Sequence, residues 1–398
     1  MLDFSRHCHP KPHSLLKAGK LKKENLPYIR PLNAVRGLSA LVVVLFHVSN
    51  LHYFPKIDLS AFSNGYLAVD MFFILSGFVL MHVYSGKFES ITDRKYYSFM
   101  VSRFARIYPV HFAMLAVLLA LELLKLYLHL PAFTEYKSIP SLFTSLLMIQ
   151  AWHIHPINPW NGVAWSISAE WFCYFLAPLF IAFWDKFKTL TLGLFLYFIP
   201  AVFLVLYAAS IHSYELTTEG GVVRIVIEFL MGLSAYGAYA ELKKKNLNPR
   251  RIDTLAMGLG VLLLTSHYTH AHPIGIIYLC GAFILTCSLS TGVFSRLMSS
   301  KPLHYLGEIS YSMYLVHSVL WYNLFSRLIP ILPHQNFALE FGSLGALMGV
   351  TIVCAALTYH CIEKPAREWL KAALARNKKP STAPATVLAL SPAKQISA

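Results

Sequence analysis

LNAVRGLSALVVVLFHVSN, residues Leu32 to Asn50, is long and apolar enough to cross a bilayer, yet it carries Arg36 near its start and His47 near its end. Eleven positions separate the two (47 − 36). On an α-helix that is roughly 1100°, three turns and about 20° more, so both side chains fall on one face, roughly 16 Å apart along the axis. An ionisable group in hydrocarbon costs at least about 2.5 kcal/mol unless it faces a polar interior or a partner. Two readings follow: a polar site built on a membrane helix, or an arginine that snorkels to the headgroups beside a hydrogen-bonded packing histidine.

The rest of the chain supports the membrane reading. Of 398 residues 56% are hydrophobic and 13% charged, against about 25% charged in a soluble domain. The net charge of +15 is not gathered into a basic face or motif, which argues against a nucleic-acid partner and leaves topology as its role. Six cysteines include no CxxC pair and imply neither a disulfide framework nor a zinc site, so no metal is expected. The first thirty residues lack the pattern of a cleavable signal peptide, and the first helix is expected to act as its own insertion signal.

Apolar runs long enough to span fall at about 33–53, 65–85, 103–129, 162–184, 188–210, 221–240, 252–268, 272–291, 303–327 and 338–362. The expected fold is therefore all-α, a polytopic bundle of about ten spanning helices. The apolar piece Ser141–Trp152 is too short to cross and reads as a re-entrant or interfacial helix. Three regions result: a basic tail over 1–31, a transmembrane domain over 32–365, and a largely disordered tail over 366–398. With the first tail inside, the inner connections are all basic, whereas the outer ones hold only Lys56 and Lys137 among basic residues. That asymmetry puts both termini in the cytoplasm. His7, Cys8, His9 and His13 in the tail, and His267, His270 and His272 in an outer loop, have irregular spacings that suit an incidental polar segment better than a metal site.

This topology assigns depths. Asp70 in GYLAVDMFFILSGF lies about one and a half turns into the second span, and Glu170 in NGVAWSISAEWFCYF about two turns into the fourth, both near the expected level of His47. The three together suggest a lined cavity; singly each also fits a buried structural group. Arg103 and Arg106, at i and i+3 in VSRFARIYPVHF, either grip an anion together with Arg36 or anchor the helix by the positive-inside rule. His317 in LGEISYSMYLVHSVL falls about mid-depth, and Trp152, Trp160, Trp165 and Trp171 can stack on sugar rings or form an interfacial aromatic belt.

Six segments in order resemble the acyltransferase-3 family of bacterial integral-membrane acyltransferases: the Arg36-x10-His47 stretch, DMFFILSGF after Asp70, RFAR with Arg103 and Arg106 followed by IYP, WSISAEWFCYF with Glu170, ISYSMYLVHSVL with His317, and the closing IEKPAREW. The resemblance covers about residues 31–370. It implies a ten-helix enzyme of the bacterial inner membrane that moves an acyl group, usually acetyl, from cytoplasmic acyl-coenzyme A to a hydroxyl of a carbohydrate or glycolipid acceptor. The family's essential arginine and histidine map onto Arg36 and His47, and its RxxR pair onto Arg103 and Arg106. Some members carry a C-terminal esterase-like domain, which is not expected in this chain. His47 is then the expected general base with Asp70 or Glu170 as its orienting carboxylate, Asp70 preferred because its helix follows directly. Arg36, Arg103 and Arg106 are expected to hold acetyl-coenzyme A, and Trp165 and His317 the acceptor. Absence of a GxSxG elbow favours direct transfer over an acyl-enzyme. The competing class is a transporter or flippase, since intramembrane charges also line transport paths, but no repeat between the halves supports it.

Overall fold

The computed structural model describes residues 28–187, 198, 202, 206, 220–266, 273–332 and 336–376. The basic tail with its histidines, most of the expected span at 188–210, the His267/His270/His272 group and the last residues from 377 on lie outside them. The described residues are helical with connecting turns, and no strand occurs among them. The helices are α1 (Arg30–Leu51), α2 (Ala68–Tyr84), α3 (Asp93–Tyr127), α4 (Ile139–Leu146), α5 (Trp165–Phe187), α6 (Gly221–Leu242), α7 (Pro249–Ser266), α8 (Pro273–Leu289), α9 (Val293–Met298), α10 (Lys301–Val319), α11 (Phe337–Thr358) and α12 (Lys364–Arg376). Six helical stretches among the described residues are long and apolar enough to cross a membrane. The protein is a multi-pass membrane bundle.

Each span starts and stops for a local reason. Pro31 sits in the first turn of α1, where its missing N–H costs nothing, and His52 in a left-handed conformation (φ 52°) ends it. Thr92 accepts a hydrogen bond from the Lys95 amide and starts α3 ten residues earlier than the apolar run predicts. The basic stretch ahead of Arg103 is thus helix rather than loop, and Arg103 and Arg106 lie three turns into α3. At the other end of the chain, where a tail is expected from 366, a π-helical turn at Tyr359–Glu363 carries α11 directly into α12. The short apolar piece after residue 138 forms the eight-residue α4, capped by Ser138 and far too short to span.

Two close crossings set the bundle. On α1 and α10, Gly37 and Gly307 face each other so tightly that a Cβ on Gly307 would run into the Asn33 backbone. On α2 and α6, Gly77 and Gly232 do the same: a Cβ on either would meet a carbonyl of the opposite helix. Small residues let helix backbones approach where lipid offers no hydrophobic drive to association. These crossings put Arg36 against α10 and Asp70 against α6. Large apolar side chains left exposed on α3 and α11, such as Leu123, Leu126, Phe341 and Val353, belong to a lipid-facing belt.

Candidate functional site

Three cavities lie side by side in the bundle, each sharing lining residues with the next. The first is lined by Arg36 of α1, Arg103 and Arg106 of α3, Ser76, Glu170, Tyr174, Tyr311 and Tyr314. Arg106 donates from Nη1 to Glu363 Oε1 at 3.2 Å, and the buried Glu363 also accepts from Ser312 Oγ at 2.8 Å and from Arg367 at 3.4 Å. The Arg103 guanidinium lies among the rings of Tyr84, Phe99 and Tyr174 at 5.7 to 5.9 Å. Among the described residues neither Arg36 nor Arg103 has a carboxylate within ion-pair distance. Half-buried guanidiniums with no ion-paired carboxylate have donors left over for an anion. Arg36 and Arg106 also line a second cavity, which opens between Tyr28, Arg30, Lys301, His304 and Arg367 with Glu308 as its one carboxylate.

Glu170 lies in the arginine cavity. Its Oε1 accepts from Ser76 Oγ at 2.8 Å and from the Tyr174 hydroxyl at 2.7 Å. Asp70 is fully buried and ion-paired to Arg224 of α6, whose Nε donates to Asp70 Oδ1 at 2.7 Å and to Glu228 Oε1 at 3.2 Å. The cavity expected to unite Asp70, Glu170 and His47 is therefore divided, and neither carboxylate is hydrogen-bonded to His47. The reason is azimuth: rise along the axis sets a residue's level, but the neighbouring helix decides what it meets. A buried carboxylate beside a guanidinium stays with it, because separating the pair strands two charges in the interior.

The third cavity holds His47, with Phe46, Tyr66, Asn158, Trp165, Arg224 and Tyr314 around it. His47 Nδ1 is 2.8 Å from the Val43 carbonyl one turn back. A carbonyl only accepts, so hydrogen-bond logic assigns the proton to Nδ1 and leaves the Nε2 lone pair as the ring's basic site. His317 Nε2 approaches the same Nδ1 at 3.4 Å, and His317 Nδ1 is 3.2 Å from the Met313 carbonyl. The two rings are 5.0 Å apart and inclined at 55°. His317, expected in the acceptor site, is fully buried behind His47 and lines none of the three cavities. Val69 and Tyr314 line both the first and the third cavity, so the arginine cavity and the His47 cavity adjoin at these two side chains.

Residues 29–360 match a family model described as an acyltransferase domain. The chain belongs to this acyltransferase family. Acyltransferase MdmB of Streptomyces mycarofaciens is 32% identical over 155 residues, 37% of this chain and 38% of its own. Peptidoglycan O-acetyltransferase OatA of Listeria monocytogenes is 21% identical over 369 residues, 86% of this chain and 56% of its own. O-acetyltransferase OatA of Staphylococcus aureus strain MRSA252 is 22% identical over 419 aligned positions, 93% of this chain and 63% of its own. The chain thus spans less than two thirds of each of these relatives. No solved structure matches.

Within the acyltransferase-family domain the aromatic residues divide. Trp165 lines the His47 cavity, packed edge-on to Phe73 and near the Arg224 guanidinium at 5.9 Å. Trp160 is buried, with its indole N–H on Ser138 and Ser141, and Trp152 donates to the Ser168 carbonyl, so both brace the loop around α4. Trp171 packs against Phe104 and Phe175. Among the described residues no group of three or more His, Cys, Asp or Glu can hold a metal. Arg224, Glu228 and Glu363 escaped the sequence reading. Arg224 and Glu228, four apart in the apolar run GVVRIVIEF, were visible as a one-face ion pair.

Proposed function

We propose that the protein transfers an acyl group, acetyl foremost, from acyl-coenzyme A to a hydroxyl of a carbohydrate or glycolipid acceptor, with His47 as general base. The observation that carries this reading is that the cavity lined by Arg36 and Arg103, which have no ion-paired carboxylate among the described residues, adjoins at Val69 and Tyr314 the cavity lined by His47, whose Nδ1 is engaged and whose Nε2 is left to accept a proton. Coenzyme A bears phosphates at one end and a thioester on a long flexible arm at the other. Arg30, Lys301 and Arg367 at the surface, with Arg36 and Arg103 further in, suit the phosphates; the cavity lined by Tyr311 and Tyr314 suits the arm.

At the far end His47 Nε2 takes the acceptor's hydroxyl proton as the oxygen attacks the thioester carbonyl. The new C–O bond replaces the C–S bond, and the departing thiolate recovers the proton. The imidazolium formed in passing keeps its Nδ1–H on Val43 and against His317. A positioned base of this kind contributes about 10²–10⁴ in rate. Trp165 and Tyr66 offer apolar ring faces, and Asn158 and Arg224 polar atoms, to a sugar in the third cavity. The Listeria relative is named for peptidoglycan, which supports a carbohydrate acceptor. In this reading the arginine end faces the cytoplasm of a bacterial inner membrane with both termini inside, supported by the Lys- and Arg-rich connections at that end.

The test is to incubate the purified protein with radiolabelled acetyl-coenzyme A and cell-envelope glycan fractions. Label on a glycan, matched by release of the coenzyme A thiol, is the expected result. No binding of acetyl-coenzyme A and no label on any fraction contradicts the reading.

A further inference from the structure

The arginine cavity and the His47 cavity share two lining residues, Val69 and Tyr314. His47 lines only the third cavity, and the three site arginines only the first two. A thioester held by the arginines therefore meets Tyr314 before it meets His47. The Tyr314 side chain is buried and held at its tip: its hydroxyl is 3.0 Å from the Val163 carbonyl and 2.9 Å from Ser166 Oγ. Ser166 lines the arginine cavity and Val163 the His47 cavity, so the hydroxyl is moored astride the boundary. The ring is steadied edge-on by Phe72 at 6.0 Å and by His317 at 5.8 Å. It thus ties the wall to the residue that stands behind the base.

We propose that Tyr314 is the partition between the donor and acceptor sides, a positioning and specificity-determining residue that keeps acceptor-side water off the thioester and limits the size of the acyl group that reaches His47. This rests on the acyl-transfer reading above. The partition matters because the base cannot tell one hydroxyl from another. Water at His47 loses its proton to Nε2 and attacks the thioester carbonyl as an alcohol does. A C–O bond then forms, the C–S bond breaks, and acetate and the coenzyme A thiol result, the thiolate taking up the proton. An enzyme that joins a cytoplasmic thioester to an acceptor from the opposite side has to keep this reaction slow until the acceptor fills its cavity. A side chain at that boundary also limits what can cross it, and a pocket that admits one acyl group and resists the next methylene discriminates by about tenfold or more.

The experiment measures thiol release from acetyl- and propionyl-coenzyme A, without any acceptor, by purified wild type, Tyr314→Ala and Tyr314→Phe. Binding of coenzyme A to each protein is measured alongside. Wild type is expected to release thiol slowly. Tyr314→Ala is expected to release it several-fold faster and to raise the propionyl-to-acetyl ratio by about tenfold. Tyr314→Phe, which keeps the ring and loses only the mooring, should move both readouts less and in the same direction. His47→Ala placed in the Tyr314→Ala background should cancel the gain, since the water acts through that imidazole. The propionyl-to-acetyl ratio does not depend on the amount of folded protein, and Ser166→Ala, which removes one mooring partner, covers the case in which Tyr314→Ala fails to fold. Wild type that binds coenzyme A, with variants whose release rate and acyl ratio stay at the wild-type values, overturns the partition alone. Wild type that does not bind coenzyme A overturns the transfer reading and the partition with it.

Discussion

His317 Nε2 stands 3.4 Å from His47 Nδ1, on the one ring nitrogen that the Val43 carbonyl already approaches at 2.8 Å. The orienting partner of His47 is thus a backbone carbonyl backed by a second, fully buried imidazole, where the sequence reading expected a carboxylate. Both acceptors favour the tautomer whose Nε2 is basic. Removing His317 leaves the Val43 bond but frees the ring to tilt. His317→Ala should lower kcat for transfer by about tenfold, about 1.4 kcal/mol, with the KM for acetyl-coenzyme A unchanged. His317→Gln, which can still accept a hydrogen bond, should recover part of the loss. Steady-state kinetics of the three proteins checks both points.

Arg36 and Arg103 have no carboxylate partner among the described residues, so their charge is available to a ligand. Each contact between a guanidinium and a phosphate is worth about 2 kcal/mol. Arg36→Ala and Arg103→Ala should each weaken coenzyme A binding by roughly thirtyfold at unchanged fold. Arg106 differs because Glu363 already holds it. Its removal should also unsettle the junction of α11 and α12, visible as a lower melting temperature in detergent.

Arg224 is shared by two buried acidic side chains, donating to Asp70 and to Glu228. Arg224→Met strands both in the bundle interior. It should destabilise the protein by about 3–5 kcal/mol, whereas the triple replacement Arg224→Met, Asp70→Asn, Glu228→Gln should restore much of that stability. Thermal unfolding of the purified proteins separates the two outcomes.

Gly307→Ala places a methyl against the Asn33 backbone at the α1–α10 crossing. Overpacking there should cost about 1–3 kcal/mol. It should also push Arg36 away from the surface cavity, so weaker coenzyme A binding is expected to accompany the lower melting temperature.

What the sequence made legible was axial. A rise of 1.5 Å per residue puts Arg36 near one end of α1 and His47 near the other, and apolar runs mark most of the spans within a few residues. Lateral partners were not legible, because a helix tells nothing of which neighbour it will face. Asp70 went to Arg224 on a helix more than 150 residues away, Glu170 to the tyrosine and serine of the arginine cavity, and His317 to the back of His47. Hydropathy also misjudged Asp93–Ser102, where Thr92 starts a helix in polar sequence. Glu363 lies in the closing IEKPAREW segment, but nothing in its spacing shows that it holds Arg106, 257 residues earlier.

The most direct measurement is the rate of acyl transfer from acetyl-coenzyme A by folded His47→Gln, compared with wild type in the same detergent and at saturating donor. Loss of the base should cut kcat by about 10²–10⁴ while coenzyme A still binds with wild-type affinity. A folded His47→Gln protein that transfers the acyl group at the wild-type rate would contradict the account.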